Sequence, residues 1–326
     1  MPNQVLIAAL LSLAATPAFA APAVVTDIVP TGAMVQAVMG ELGDVRVLLP
    51  QGASAHHYQM RPSDAQALQD ADLVVWMGPE LAPWLDRAAG NLAADAQLRL
   101  LGVDGIMLRS YGSESEGHDH DHAHDDHSHE HGHDDHGHDD HDHGGHDHDH
   151  SHAGTDPHAW LNPDNAGPWL DAIVASLSAR DPENAQTYRA NADAFADRIE
   201  TLDSTLLQRL APYSDARFVV FHDAYGYFTE HFGLQPAVPV SLGDASTPSA
   251  ARIDEIRGQI VQSGAACAFP EYAHDPALID TVIEGTDVRV GGELSPAGGG
   301  LAPGADQYEV LLTAMADTMI ACLKSE

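Results

Sequence analysis

The chain has 326 residues, and its 14 Lys and Arg residues against 49 Asp and Glu residues give a formal net charge of −35. A protein with this much negative charge repels polyanions and attracts cations, which argues against nucleic acid as a partner. Its length is sufficient for two medium-sized lobes, each with a hydrophobic core.

The first residues resemble a secretory signal. Residues 5–15 are apolar but too few to span a bilayer, and Ala18-Phe19-Ala20 has the small-residue pattern of a cleavage site. We therefore expect residues 1–20 to be a cleaved signal peptide, although residues 1–4 lack the usual Lys or Arg. No later stretch is apolar enough to cross a membrane, and no Cys follows the cleavage site to accept a lipid. The sequence thus predicts an exported protein of the periplasm.

The first half alternates short apolar runs with helical patterns, which is typical of an α/β fold with a parallel sheet. Strands are predicted at residues 23–29, 45–49, 73–77 and in part of 98–108. Helices are predicted at residues 31–42, 63–70 and 80–89. We assign residues 21–165 to an N-terminal lobe.

Within this lobe, residues 117–152 form a segment that we call the His-rich tract. It contains no apolar residue larger than alanine, so it cannot build a core and is predicted to be a disordered loop. Imidazole binds zinc, copper and nickel, but an unstructured chain loses entropy at each capture and should hold several ions only weakly. The alternative is a charged spacer without metal. The proposed weak ligands are His118, His120, His122, His124, His127, His129, His131, His133, His136, His138, His141, His143, His146, His148, His150 and His152.

Residues 166–212 are predicted to be connecting helices between the two halves. Asp181 is a candidate N-cap before Pro182, and apolar residues then recur three or four apart as far as Pro212. The resulting helix is about 40 Å long. Such a connection is stiff, so we expect the lobes to move only modestly on binding a ligand.

The second half, residues 213–326, repeats the α/β pattern as a C-terminal lobe. Strands are predicted at residues 218–221, 237–240, 266–269 and 288–290. Helices are predicted at residues 224–232, 249–263, 276–284 and 308–323. The expected fold is therefore α/β, with two lobes that each have a mainly parallel sheet covered by helices and are joined by one long rigid helix.

Cys267 and Cys322 are the two cysteines of the chain. An oxidising compartment favours a disulfide between them, which would tie the last helix to the strand at residues 266–269. Two buried thiols that pack as small apolar residues are the alternative.

Three histidines outside the tract lie on connections between strands and helices. His56 follows the strand at residues 45–49, His158 precedes the connecting helices, and His222 ends the strand at residues 218–221. Ligands of open α/β sheets bind beyond the carboxyl ends of the strands. One such histidine is usually a cap or a core residue, but the three together with the His-rich tract predict a metal site.

Three segments resemble those of ZnuA-type zinc-binding proteins, the periplasmic solute-binding components of ABC zinc importers: GASAHHYQMRPSDAQALQDADLVVWMGPE, DPHAWLNPDNA and FVVFHDAYGYFTEHFGL. The resemblance extends over the mature chain and includes the place of the His-rich insertion and the two cysteines. It implies Zn²⁺ held between the lobes by His56, His158 and His222. It also implies a monomeric protein that docks on an ABC zinc permease of the inner membrane.

Two positions depart from the family pattern. Ala55 stands where relatives often carry Glu, and Ser295 stands where many carry an Asp that serves as a fourth ligand. The fourth position of a tetrahedral zinc is then left to water, to a His or Asp of the tract, to Glu293 or to Glu271. An all-nitrogen ligand set disfavours manganese, which prefers carboxylates.

The predicted function is high-affinity capture of zinc in the periplasm and delivery to the permease. Storage or chaperoning of zinc without a transporter is one alternative. A hydrolase is another, because three histidines with a bound water also form catalytic zinc sites. Outside the His-rich tract the sequence lacks H-E-x-x-H and an obvious general base beside a ligand, so we expect a binding protein and no enzyme.

Overall fold

A computed structural model describes residues 21–111, 154–301 and 304–324. The first sheet has the strand order β2-β1-β3-β4, and all its neighbours pair in parallel: β1 (Val24–Thr26), β2 (Val45–Val47), β3 (Leu73–Trp76) and β4 (Gln97–Arg99). The second sheet is parallel with the order β6-β5-β7-β8: β5 (Phe218–His222), β6 (Val238–Ser241), β7 (Cys267–Phe269) and β8 (Arg289–Val290). Both sheets thus have the same topology: the second strand of each lies on one side of the first strand, and the third and fourth strands lie on the other side.

Helices cover these sheets. The first half contains α1 (Val29–Met39), α2 (Pro62–Asp70) and α3 (Pro83–Ala89). The second half contains α6 (Gly226–His231), α7 (Ala250–Ser263), α8 (Ala277–Ile283) and α9 (Gln307–Leu323). Every residue of β3 and of β5 is buried, as expected for parallel strands covered on both faces. The two-lobed α/β fold predicted from the sequence is confirmed.

The connection consists of α4 (Ala166–Arg180) and the 26-residue α5 (Ala185–Leu210). The predicted apolar face of α5 is buried along its length and packs against α1, α4 and α9. The same continuous core contains residues of both sheets, so the lobes share apolar packing and not only a covalent link.

The start of the long helix differs from the prediction. A 3₁₀ turn, Pro182–Asn184, precedes α5, so Asp181 does not cap the helix with its side chain. One carboxylate oxygen of Asp181 instead accepts hydrogen bonds from the hydroxyl of Tyr188 at 2.8 Å and from the amide of Asn184 at 2.7 Å. The carboxylate therefore anchors the first turn of α5 from the side.

The predicted disulfide is present between Cys267 of β7 and Cys322 of α9, with the two Cα atoms 6.2 Å apart. It ties the last helix to the second sheet, as expected. The strand predicted within residues 98–108 is shorter than expected, because β4 ends at Arg99 and a 3₁₀ turn, Leu100–Gly102, follows.

Among the helices in the described ranges, none has the length and hydropathy needed to cross a membrane. The predicted signal peptide, residues 1–20, and the His-rich tract, with all its proposed ligands from His118 to His152, lie outside the described residues.

Candidate metal centre

Three histidines meet in the cleft between the two sheets. Nε2 of His158 lies 3.3 Å from Nε2 of His56 and 3.3 Å from Nε2 of His222. The ring centroids are 5.1 to 5.7 Å apart, so the rings converge on one point without stacking. Nitrogens bound to a tetrahedral zinc at 2.0–2.1 Å stand about 3.3 Å apart. These two separations therefore match edges of a zinc coordination tetrahedron, and the ligand atoms of all three histidines lie within 4.8 Å of one another.

His222 is placed by the carboxyl ends of two paired strands. It is the last residue of β5, and Glu271 follows β7, which pairs with β5. Oε2 of Glu271 lies 2.7 Å from Nδ1 of His222 and accepts a hydrogen bond from the hydroxyl of Tyr225 at 2.9 Å. An Nδ1–H that donates to this carboxylate leaves the lone pair of Nε2 directed at the other two histidines.

His158 is held by the carboxylate two residues before it. Oδ1 of Asp156 accepts a hydrogen bond from the backbone N–H of His158 at 3.0 Å and lies 2.8 Å from its Nδ1. Trp160 packs beside His158 and donates from its indole N–H to the carbonyl of Pro296 at 2.7 Å. The turn that carries His158 is thereby fixed to the loop before α9.

His56 comes from the loop after β2. The carbonyl of Ala55 accepts a hydrogen bond from the indole N–H of Trp84 at 2.7 Å, which anchors this loop on α3. His56 is only partly buried, whereas His158 and His222 are buried. In the described part of the chain, no carboxylate contacts Nδ1 of His56, in contrast to the other two rings. His56 is thus the least constrained of the three.

Burial keeps two of the three cleft imidazoles in the neutral form that can bind a metal ion. Burial lowers the pKa of His56 and of His158 well below the ordinary value, and the neighbouring imidazoles add to this effect. Burial acts in the same direction on His222, but the charge and hydrogen bond of Glu271 outweigh it and raise the pKa of His222. Burial also raises the pKa of Asp156 to about 7, against its hydrogen bond to His158. No Lys or Arg is among the described residues that line the cleft.

The two glutamates that were candidates for a fourth ligand differ in position, and so does Ser295, which replaces the family's Asp. Glu271 lines the cleft, but its Oε2 is engaged by His222 and Tyr225. Glu293 is exposed and does not line this cleft. Ser295 lines it, but its hydroxyl donates to the carbonyl of Gly299 at 2.9 Å. The geometry therefore does not favour Glu293 as a ligand.

Sequence reasoning missed the supporting carboxylates and one further histidine. Asp156 stands two residues before His158, and this short spacing was an available signal for its role. Glu271 is 49 residues from His222, and only the pairing of β5 with β7 brings them together. His274 also lines the cleft, although no sequence motif surrounds it.

A second group of ligand-type side chains lies outside the cleft. Nε2 of His231 is 2.6 Å from Asp203 of α5, and its Nδ1 is 3.4 Å from Asp164, which precedes α4. The two carboxylates face different nitrogens of one ring, so the group links α6, α5 and the turn before α4.

Residues 24–322 match the family model ZnuA, described as zinc-uptake complex component A, periplasmic. The chain is 56% identical over 327 residues to the high-affinity zinc uptake system protein ZnuA of Paracoccus denitrificans, covering 100% of this chain and 99% of that one. It is 35% identical to the protein of the same name from Yersinia pestis, covering 99% of this chain and 98% of that one. The periplasmic zinc-binding protein TroA of Treponema pallidum has a similar fold, with a TM-score of 0.73 at 22% identity over 93% of this chain and 99% of that one.

Proposed function

The chain belongs to the ZnuA family of periplasmic zinc-uptake components, and we propose that His56, His158 and His222 bind the zinc ion that it captures. The observation that carries this proposal is that Nε2 of His158 lies 3.3 Å from Nε2 of both other histidines, a spacing expected between two ligands of a tetrahedral zinc. Asp156 and Glu271 support it, because carboxylates that accept from Nδ1 orient ligand imidazoles and make them more basic.

The test is zinc binding measured by competition with a chelator of known affinity. We call the three-histidine site the tight site. Replacing His158 or His222 with Ala should weaken its affinity for zinc by about 100-fold or more, because loss of a ligand should cost more than the 10–100-fold typical of residues that only support a ligand. The His231→Gln variant is the matched control, since it alters a histidine outside the cleft. Tight binding that survives in both cleft variants would refute the assignment of these ligands.

The His-rich tract is proposed to capture zinc weakly and to raise its concentration beside the cleft. The described residues on either side of it pair with each other: Ser110 bridges Thr155, and the N–H of Tyr111 donates to the carbonyl of Gly154 at 3.0 Å. Tyr111 and Gly154 line one cavity together with His56. The described residues that flank the tract are thus held next to a proposed ligand, so ions captured by the tract should have a high effective concentration there.

The cargo passes to a membrane transporter, because ZnuA-type proteins work with an ABC permease. The chain is a binding protein and not an enzyme, so the hydrolase alternative is set aside. We propose that the loaded, monomeric protein docks on a zinc permease of the inner membrane. Zinc uptake into vesicles that contain the permease should require the loaded protein, whereas a storage protein would leave uptake unchanged.

We further propose that residues 1–20 are removed on export to the periplasm, where the family functions. The mature chain then comprises an N-terminal lobe (residues 21–165), connecting helices (166–212) and a C-terminal lobe (213–326). Mass spectrometry of the exported protein should give Ala21 as the first residue.

A further inference from the structure

His274 lies in the cleft just outside the three converging histidines. It follows β7 by five residues, and its side chain is 16% exposed, against 4% for His222. Its ring stacks on Phe221 with the centroids 4.3 Å apart and is 6.2 Å from the ring of His222. His274 is therefore an imidazole next to the buried His222 and more exposed to solvent than it is.

Glu271 lies between the two imidazoles. Its Oε2 faces Nδ1 of His222, whereas its Oε1 is 3.5 Å from Nε2 of His274. A nitrogen and a carboxylate oxygen at this separation are suitable donors for one zinc ion. One oxygen of Glu271 thus contacts a proposed ligand of the three-histidine site, and its other oxygen forms a second pair of potential zinc donors with His274.

The backbone fixes His274 in this place. The preceding residue, Ala273, has a φ of 65°, a left-handed conformation that residues other than glycine seldom adopt. Such strain persists only where the surrounding structure enforces it. The N–H of Tyr272 donates to the carbonyl of Leu294 at 2.8 Å, and the N–H of His274 donates to the carbonyl of Glu271 at 3.2 Å. The loop is therefore a defined turn that presents His274 to the cleft.

We propose that His274 and Oε1 of Glu271 form a transfer site, which binds zinc transiently as the ion enters and leaves the three-histidine site. This inference rests on the zinc function proposed above. The ligand atoms of the three cleft histidines lie within 4.8 Å of one another, and His274 is outside that group. It is thus a neighbour of the tight site and not a member of it. A bound state on the path lowers the barrier in both directions and leaves the affinity of the tight site unchanged.

The experiment measures zinc capture and release by stopped flow, with a fluorescent chelator and full-length mature protein carrying one equivalent of zinc. His274→Phe removes the ligand nitrogens and keeps a ring against Phe221. The association and dissociation rates should both fall by about tenfold, the scale of change for residues that support metal ligands, with the dissociation constant unchanged. His231→Phe makes the same substitution at a histidine of similar exposure outside the cleft, and should change neither rate.

Two results would overturn the transfer site. Unchanged rates in His274→Phe would mean that zinc does not pass through His274. Faster dissociation with a weaker dissociation constant would make His274 a permanent ligand. If His274→Phe folds poorly by circular dichroism, His274→Asn keeps a polar side chain facing Glu271 and is measured in the same way. His222→Ala is measured in parallel, and tight binding that persists there would refute the three-histidine site independently of His274.

Discussion

Nδ1 of His222 lies 2.7 Å from Oε2 of Glu271, and both groups are buried beyond the carboxyl ends of neighbouring parallel strands. The carboxylate fixes the tautomer of the imidazole and increases its basicity. The lone pair of Nε2 is thereby left on the opposite side of the ring, where the Nε2 of His158 is 3.3 Å away.

Glu271→Gln should weaken zinc binding by about 10–100-fold, as other changes to carboxylates that support ligand histidines do. Glutamine keeps the volume of the side chain, so the loss would report the missing charge and not a cavity. Tyr225→Phe is the control, because it removes the other hydrogen bond to the same oxygen and leaves the carboxylate in place. Chelator competition at neutral pH measures both, and equal affinities in wild type and Glu271→Gln would contradict the supporting role.

The sequence predicted the three histidines of the candidate site but not the carboxylates that contact two of them. His56, His158 and His222 could be predicted as a set because each lies on a connection between a strand and a helix. Glu271 could not be placed beside His222, since their contact depends on the strand order β6-β5-β7-β8, which local patterns do not specify.

The same limit applies to the fold. The apolar spacing along α5 predicted its buried face, because helix periodicity is a local property. The start of the helix was missed, because Asp181 could cap it or bind Tyr188, and tertiary packing decides between these options.

The affinity for zinc should fall as the pH is lowered from about 7.5 to about 5.5, because protons and zinc compete for the same imidazole nitrogens. His222 protonates first, since the charge and hydrogen bond of Glu271 raise its pKa although burial opposes this. Burial lowers the pKa of His56 and of His158, so these rings stay neutral longer. As the pH falls through the raised pKa of His222, the charged ring no longer binds metal and affinity is lost.

The measurement is a series of chelator competitions across this pH range. In Glu271→Gln the loss of affinity should begin at a lower pH, because the largest opposition to burial at His222 is then gone and only the charges of Asp223 and Asp156 still raise its pKa. Affinity that stays constant across the range would count against coordination by histidine.

Deletion of residues 117–152 should leave one tight zinc site and remove the additional weak ones. The three cleft histidines all lie outside the deleted segment, and the pairing of Ser110 with Thr155 holds the shortened connection in place. Metal analysis should therefore give about one zinc per chain, and loading at low zinc should be slower than in wild type. Replacing the histidines of the tract with Ser is the matched control for its length. Loss of the tight site in the deletion would show that the tract supplies an essential ligand.

Removal of the disulfide should lower the free energy of unfolding by about 4 kcal/mol on the chain-entropy relation for a closed loop of this length. Cys267 and Cys322 are 55 residues apart and both are buried, so the Cys267→Ala, Cys322→Ala double variant avoids free thiols and introduces no polar group. Urea denaturation followed by tryptophan fluorescence gives the stability, and reduced wild-type protein is the control for the effect of the mutations themselves. Zinc affinity should change little, because Glu271 stays in the cleft through its contacts with His222 and Tyr225 and the parallel pairing of β5 with β7. A double variant as stable as the oxidised wild type would mean that α9 is held to the second sheet by packing alone.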